Sequence, residues 1–347
     1  MVADTRRQAL KWIAGAGGIV LAPQAMQFAS AAEEFFKGPP VKDIPAKQIS
    51  KHVWLIYSPD GFPTPENRGM MANVTFVVTS KGVVILDTGA SLQIGEMAIR
   101  MIKKVTDKPV IAIFNSHYHG DHFLGNQAFI ETYSKVMPIY AHPYSIKQIK
   151  GIEGNAWRNL MERWTNQATA GTKVIPPTHD ANHGDVFHFG DVRIKVHHHG
   201  TAHTPGDICM QVIEDKVTYV GDIAMGNRIA NIDDGSYVGT FKTYKNLQAT
   251  EGDQLWVPGH GEPSKQLLNE YGEFLAGIYD TCVKAVKDGQ DLSVAKSLVL
   301  KDPRVSKRAK TMQGFDGNIG KYTSLAYLEA EKEAFWLILA LQLISLP

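Results

Sequence analysis

Between residues 48 and 258 the apolar positions fall into short runs separated by turn-forming residues. The runs are rich in Val, Ile and aromatic residues, which is typical of strands. The predicted strands are residues 52–57, 74–78, 83–86, 109–114, 186–189, 192–196, 208–213, 217–220 and 255–257. The segment 58–69, with three prolines and two glycines, predicts an exposed loop.

Helical periodicity occurs in three segments of the same region, residues 92–105, 155–168 and 240–250. The apolar residues that share one face of the second helix are Trp157, Leu160, Met161 and Trp164. We expect this face to pack against a sheet, and the alternative is a wall over a functional site. The alternation of strand, helix and strand predicts an α/β layered fold, in which ligands bind at the carboxyl ends of strands.

Beyond Pro263 the pattern is helical to the end of the chain, and its last segment, residues 334–346, is strongly apolar. This segment is too short for a helix that spans a bilayer. We therefore expect it to be buried on the domain or at a dimer contact, and the sequence leaves the oligomeric state open.

The composition is that of a globular protein, with 44% hydrophobic and 20% charged residues. A formal net charge of +1, without a long basic run, argues against a nucleic-acid partner. The only two cysteines, Cys209 and Cys282, are far apart in sequence and exclude a disulfide framework or a Cys-x-x-Cys metal site. We expect both to be buried apolar residues, so that any metal ion must be held by histidine and carboxylate.

The first 32 residues resemble a bacterial twin-arginine export signal. Arg6 and Arg7 precede an apolar run at 12–22, and Ala29-Ser30-Ala31 has the pattern of a cleavage site. The resemblance implies a periplasmic protein that is exported folded, with its metal already loaded, and without a permanent membrane anchor. The alternative is an amphipathic helix whose two arginines are incidental.

Four candidate metal ligands lie within six residues, directly after the predicted strand 109–114: His117, His119, Asp121 and His122. Because an extended chain sends alternate side chains to one face, the first three converge on one point, and His122 turns toward a second. This pattern predicts a two-metal hydrolase site, provided that other parts of the chain supply the missing ligands.

Three further candidates lie where predicted strands begin or end. His203 is in the Gly- and Pro-bounded loop 200–207, Asp222 follows strand 217–220, and His260 follows strand 255–257. Each one alone is more typical of a surface position. Together with the cluster they make five histidines and two aspartates, a set that suits zinc.

These motifs together resemble the metallo-β-lactamase-fold superfamily over residues 48–264. The resemblance implies an α/β fold, a four-layer αββα sandwich of two mixed β-sheets, with metals at one edge and a C-terminal helical region at 265–347. It implies one metal on His117, His119 and His203, a second on Asp121, His122 and His260, and Asp222 as the bridge. Asp87 would support the ligand histidines from behind.

The resemblance further implies two Zn²⁺ per chain, with iron or a mixed iron–zinc pair as the alternative. A metal-bridging hydroxide would attack a small ester, thioester, lactone or related carbonyl substrate. Asp121 would also act as a catalytic residue that orients the nucleophile or handles its proton. Arg228, Tyr118 and the 58–69 loop are candidates for substrate contacts, with plain surface roles as the alternative.

The residues around Asp222 indicate which branches of the superfamily the chain resembles, but they do not identify the substrate. One large lactamase subclass has Cys where this chain has Asp222, which favours thioesterases, lactonases and phosphodiesterases. Residues 221–236 resemble exported zinc hydrolases associated with sulfur-oxidation or quinoprotein systems. The alternatives that stay open are a β-lactamase, a mononuclear iron persulfide dioxygenase-like oxidoreductase and a non-enzymatic sulfur carrier. For His197-His198-His199 we expect solvated surface, with one ring reaching the site as the alternative.

Overall fold

The computed structural model describes residues 36–226, 228–229 and 232–344, with side chains described as far as Trp336. The predicted export signal at 1–32 lies outside the described residues. Twelve strands of the described part are β1 Lys47–Gln48, β2 Val53–Ile56, β3 Val74–Val78, β4 Val83–Leu86, β5 Val110–Phe114, β6 Ile139–Ala141, β7 His179–Asp180, β8 Val186–Phe189, β9 Val192–His197, β10 Cys209–Val212, β11 Val217–Gly221 and β12 Leu255–Pro258.

The strands form two mixed sheets. The first has the order β1-β2-β3-β4-β5-β6-β7 and the second the order β12-β11-β10-β9-β8. In the first sheet β4, β5, β6 and β7 pair in parallel, and the strands before them pair antiparallel. In the second sheet only β11 and β12 pair in parallel.

Helices cover the outer faces of both sheets. The helices of the described part are α1 Leu92–Val105, α2 Gly120–Phe123, α3 Asn126–Thr132, α4 Pro143–Lys150, α5 Ile152–Trp164, α6 Tyr237–Glu251, α7 Leu267–Lys287, α8 Leu292–Val299, α9 Pro303–Ala309 and α10 Phe315–Ile344. Among these residues no helix has both the length and the apolar character needed to cross a membrane.

Alternation along the buried strands creates the layers. In β4, Val84 and Leu86 point into the core between the two sheets, whereas Val83 and Ile85 point into the core under α1. A third core lies on the far side of the second sheet, beneath α6 to α10. The predicted four-layer sandwich with C-terminal helices is therefore confirmed.

The predicted elements match the observed ones closely where the pattern is strong. Helix α1 begins and ends as predicted, since Ser91 caps its first turn by accepting a hydrogen bond from the Ile94 N–H. Helix α5 begins and ends earlier than the predicted 155–168. It stops at Trp164 because Asn166 and Gln167 have positive φ angles of 48° and 66°.

The C-terminal helices share the third core with strand β11. Val220 of β11, Phe274 of α7 and Tyr322 of α10 belong to the same buried cluster. The domain boundary at residues 264 and 265 stays a prediction. Cys209 and Cys282 are both buried, as expected, and both are free thiols.

Candidate metal centre

The carboxyl ends of parallel strands bring the predicted ligands to one edge of the sandwich. His117 and His119 follow β5 of the first sheet, whereas Asp222 and His260 follow the parallel pair β11 and β12 of the second. His203 comes from the loop between β9 and β10. This is the edge at which open α/β sheets place their ligands.

The first cluster consists of His117, His119 and His203, which are all buried. His203 Nε2 lies 3.0 Å from His119 Nδ1. The ring centre of His117 is 4.6 Å from that of His119 and 4.9 Å from that of His203. Three imidazoles therefore face a common point.

The second cluster consists of Asp121, His122, Asp222 and His260, again all buried. His260 Nε2 lies 3.1 Å from Asp121 Oδ2 and 3.3 Å from Asp222 Oδ2. His122 Nε2 lies 3.4 Å from a carboxylate oxygen of each of these aspartates. Two imidazoles and two carboxylates thus meet at a second point.

Asp222 connects the two clusters. Its Oδ2 atom is 3.3 Å from His260 Nε2 in the second cluster and 3.8 Å from His203 Nε2 in the first. Gly259 makes room beside it, because a Cβ atom there would lie 2.3 Å from Asp222 Oδ1 and 2.7 Å from His122 Cε1. The site therefore depends on a glycine in the Pro-Gly-His segment.

The donor set fits metal ions. Several buried ring nitrogens and carboxylate oxygens have no hydrogen-bond partner among the described residues: His117 Nε2, His119 Nε2, His122 Nε2, His260 Nε2, Asp121 Oδ2 and Asp222 Oδ1. Such atoms are costly to bury unless something binds them. Ligand atoms around a tetrahedral zinc ion with bonds of about 2.0–2.2 Å lie roughly 3.2–3.6 Å apart, close to the separations seen in both clusters.

Asp87 holds one side of the centre in place. Its Oδ2 atom lies 2.8 Å from His122 Nδ1 and accepts hydrogen bonds from Ser116 Oγ at 2.6 Å and from Tyr219 OH at 2.8 Å. Asp87 is fully buried and has a positive φ of 60°. This hydrogen bond leaves His122 Nε2 with a lone pair for a metal ion, and His260 is oriented likewise, with Nδ1 2.7 Å from the Met71 carbonyl.

Burial and the neighbouring charges set the protonation states. Burial and the adjacent histidines hold the pKa values of His117 and His119 well below the usual range, and burial lowers the pKa of His203 to about 4. Although burial opposes it, the carboxylates of Asp121, Asp222 and Asp87 raise the pKa of His122. The first cluster is thus neutral imidazole, the form that binds metal.

Arg228 and Tyr118 are buried, so their alternative surface roles are wrong. The Arg228 guanidinium has one nitrogen 3.5 Å from Asp222 Oδ2, and another donates to the Gly61 carbonyl at 2.5 Å. The Arg228 guanidinium also lies over the Phe62 ring at 5.5 Å. Tyr118 OH donates to Asp234 Oδ2 at 2.7 Å.

The centre opens into a cavity of about 860 Å³. The cavity is lined by three ligands, by the loop residues Phe62 and Pro63, by Trp157, Leu160 and Trp164 of α5, by Arg228, and by Asn318 and Lys321 of α10. The 58–69 loop therefore lies beside the centre, as predicted. The contribution of α10 was missed, because no local pattern indicates where a distant helix will pack.

The expected packing of α5 is confirmed in part, because Met161 belongs to the core of the first sheet and Trp157 packs against that core. The alternative of a wall is also confirmed, because Trp157, Leu160 and Trp164 line the cavity. Of its apolar face only Met161 is buried, while Trp157 stands with its ring centre 4.8 Å from that of His119. The close approach explains Gly120, at which a Cβ atom would lie 2.7 Å from the Trp157 Cβ.

The expectation of solvated surface for His197-His198-His199 is wrong for His197, which is only 2% exposed. Its Nε2 lies 3.1 Å from Gln211 Oε1. None of the three rings lines the cavity of the centre. A run of polar residues at the end of a strand indicates an exposed position, but such a residue can be buried when the neighbouring strand supplies a hydrogen-bond partner.

Two buried histidine and carboxylate clusters at one edge of an αββα sandwich define a class of metal-binding α/β proteins. A sequence profile of the Metallo-beta-lactamase superfamily matches residues 67–269, which is more than half of the chain. The chain belongs to this superfamily.

Individual relatives are more distant. Metallo-beta-lactamase type 2 of Bacillus cereus is 23% identical over 229 residues, which cover 63% of this chain and 77% of that protein. The linear primary-alkylsulfatase of a Pseudomonas sp. is 38% identical over 50 residues, but these make up 14% of this chain and only 10% of that protein.

Solved structures share the fold. A metallo-beta-lactamase from Pontibacter korlensis superposes with a TM-score of 0.51 at 19% identity, covering 65% of this chain and 94% of that one. The DIM-1 metallo-beta-lactamase exposed to ceftazidime gives a TM-score of 0.51 at 15% identity, with 67% and 97% covered. Likeness at this level of identity establishes the fold alone.

Proposed function

We propose that the protein is a dinuclear metal-dependent hydrolase. The observation that carries this proposal is the position of Asp222, with one carboxylate oxygen within 4 Å of a histidine nitrogen in each cluster. His117, His119 and His203 would hold one ion, Asp121, His122 and His260 the other, and Asp222 would contact both. When bound, two dications supply Lewis-acid activation of water and of the substrate carbonyl.

Side chains around the centre would handle the proton, line the cavity and contact the substrate. Asp121 belongs to the second cluster and also lines the cavity, so its carboxylate can orient a water molecule and accept its proton. Trp157 and Phe62 form the apolar walls that exclude bulk water. Arg228 lies between Asp222 and the cavity, and its buried Nε has no hydrogen-bond partner among the described residues.

Zinc is the proposed metal, because neutral imidazoles and carboxylates without thiolate suit it. Iron or a mixed pair is the alternative. The second cluster, with all of its four members buried together, favours two ions over the single iron of a persulfide dioxygenase-like enzyme.

The proposed substrates are esters, thioesters and lactones. The cation of Arg228, which lines the cavity beside the centre, favours a substrate that carries an anionic group near the scissile bond. The similarity to the Bacillus cereus metallo-beta-lactamase makes β-lactams the second candidate, and the similarity to the Pseudomonas alkylsulfatase adds alkyl sulfates to the compounds to be tested. The periplasmic location and the link to sulfur oxidation are proposals that rest on the sequence patterns alone.

Metal analysis and a substrate panel test the proposal. The full chain is expressed in bacteria, its mature form is isolated from the periplasmic fraction, and zinc and iron are measured per chain. Thioester, lactone, β-lactam, alkyl sulfate and phosphodiester substrates are then compared. We expect two zinc ions and hydrolysis of at least one carbonyl compound, whereas one iron per chain with oxygen uptake on a persulfide would overturn the proposal.

The variant Asp222→Asn tests the bridge directly. The amide keeps the shape of the side chain but loses its charge, so we expect loss of one ion and a fall in kcat by at least about a hundredfold. Asp253→Asn is the control and is expected to keep both ions, because Asp253 is an exposed aspartate whose carboxylate pairs with Lys265 at 2.7 Å. Full activity of Asp222→Asn with two ions would contradict the assigned bridge.

A further inference from the structure

Three histidines outside the metal centre converge at the carboxyl end of β9. His197 ends this strand, His199 follows it, and His183 lies in the turn before β8. Each offers a ring nitrogen, and the three nitrogens lie within 4.8 Å of one another. We propose that this cluster, His183, His197 and His199, is a separate binding site for a transition-metal ion.

One buried nitrogen points to a missing partner. His199 Nε2 is buried and has no hydrogen-bond partner among the described residues. The His199 ring centre is 4.8 Å from that of His183 and 6.2 Å from that of His197. A metal ion between the rings would give this buried nitrogen the partner that it lacks among the described residues.

The surrounding groups orient His197 for this role. His197 Nε2 lies 3.1 Å from Gln211 Oε1 and 3.7 Å from Glu251 Oε1. A ring that donates from Nε2 keeps a lone pair on Nδ1, and such outer partners are typical of metal-binding histidines. His183 is the most weakly held ring, since its Nδ1 accepts only a long hydrogen bond of 3.3 Å from the His198 N–H.

Burial favours the neutral form of His197 and His199. Burial, followed by the mutual effect of the neighbouring histidines, lowers the pKa of His199 to about 4, and burial also lowers the pKa of His197. Lys195 adds positive charge nearby, but its ammonium is bound to Glu251 at 2.8 Å. Sets of neutral imidazoles bind copper, nickel and zinc, and His183 is exposed, so an ion can enter from solvent.

An ion at this site would link the end of β9 to the turn before β8. The chain runs from His199 directly into the loop that carries His203. The ion would therefore fix the start of that loop, although none of the three rings lines the cavity. This inference does not depend on the proposed hydrolase activity.

Copper binding tests the site in full-length protein that carries only two zinc ions per chain, one for each cluster of the centre, so that His183, His197 and His199 hold no zinc. Zinc is silent in electron paramagnetic resonance, so added Cu²⁺ reports its own ligands. We expect a signal with imidazole nitrogen splitting, with no loss of zinc from the protein. His199→Ala and His183→Ala should each weaken copper binding by at least about tenfold.

His188→Ala is the matched control, because His188 is an exposed histidine on β8 outside the cluster. It should bind copper as the wild type does. Equal copper affinity in His183→Ala and wild type, or copper uptake only in exchange for zinc, would overturn the proposal. Because His183 is exposed, His183→Ala should fold normally. It therefore shows whether the cluster binds copper even if His199→Ala fails to fold. Zinc content and hydrolysis stay unchanged in all three variants, which separates this test from that of the proposed function.

Discussion

At the scale of single residues, Arg228 has the most unusual environment. It is 5% exposed, and its guanidinium lies 3.5 Å from Asp222 Oδ2 and 3.9 Å from Asp121 Oδ2. A buried cation is stable only when it is paired. When these carboxylates serve metal ions they share their charge, which leaves Arg228 able to bind an anionic group of the substrate.

The variant Arg228→Lys measures this role. Lysine keeps the charge, but its single nitrogen does not reproduce the separate donors of the guanidinium, one of which is bound to the Gly61 carbonyl. A lost hydrogen bond to a charged group costs about 1.5–3 kcal/mol, so we expect KM for an anionic substrate to rise roughly ten- to a hundredfold. Steady-state kinetics on anionic and neutral versions of one ester provide the measurement.

The neutral ester is the internal control, and its KM should change by only a few-fold. Zinc content is measured alongside to show that the centre is intact. If kcat fell equally for both esters while KM stayed constant, Arg228 would act on the reacting atoms and not on substrate binding.

At the scale of elements, α5 forms a wall of the cavity through Trp157, whose ring contacts His119. In Trp157→Ala this wall is lost and water enters the site. An aromatic contact is worth about 0.5–1.5 kcal/mol beyond the buried area, so we expect KM to rise about ten-fold while both metal ions are retained. Kinetics and metal analysis on the same sample check this expectation.

Trp164→Ala is the matched variant, because Trp164 lines the same cavity from the end of α5 but is 43% exposed. Its effect on KM should be clearly smaller. A loss of zinc in Trp157→Ala would show instead that the tryptophan supports His119 as a ligand and does not merely line the cavity.

The first turn of helix α4 makes the stability of the folded state depend on pH. His142 caps the helix, with Nδ1 accepting from the Tyr144 N–H at 3.3 Å, and its ring stacks on His198 at 4.1 Å. Burial and the charge of His198 lower the pKa of His142 to about 4, against a small opposing effect of Asp180. Below its ordinary pKa near 6.5 the unfolded chain therefore binds a proton that the folded chain does not.

It follows that the folded state loses stability as pH falls from about 6.5 to 4. His142→Asn keeps a capping side chain and removes this titration, so its stability should fall less steeply over that range. Since His142 is half-buried, the difference is on the order of 1 kcal/mol. Urea denaturation of metal-free wild type and variant at pH 7.5 and 4.5 measures it, and parallel pH profiles would contradict the assignment.

Local patterns predicted most elements but not all of their contacts. Strands β3 and β4 follow from short runs rich in Val, Ile and aromatic residues, and helix α1 follows from its helical periodicity. The same periodicity shows that α5 is amphipathic without showing what covers its apolar face. The clustering of His203, Asp222 and His260 with His117 followed from motif resemblance, whereas the burial of His197 and Arg228 depends on partners far away in sequence.

At the scale of the whole molecule, the centre joins both sheets and is supported by the C-terminal helices. Glu329 of α10 accepts hydrogen bonds from Ser236 Oγ at 2.5 Å and from the Tyr237 N–H at 2.7 Å, at the beginning of α6. The segment between Asp222 and Ser236 contains Arg228. Helix α10 thus holds Ser236, the residue at which the segment that begins at Asp222 ends.

Removal of the metal ions should therefore destabilise the entire sandwich. The candidate ligands that follow β5, β11 and β12, together with His203 of the β9–β10 loop, would converge on bound ions only in the folded state, so binding would add to the free energy of unfolding. For each ion the gain is about 4 kcal/mol when the free metal exceeds Kd a thousandfold. We expect a chelator to lower Tm clearly, zinc to restore it, and Asp222→Asn to show a smaller change because it binds one ion fewer. An unchanged Tm after verified metal removal would show that the two clusters are not coupled to folding through bound ions.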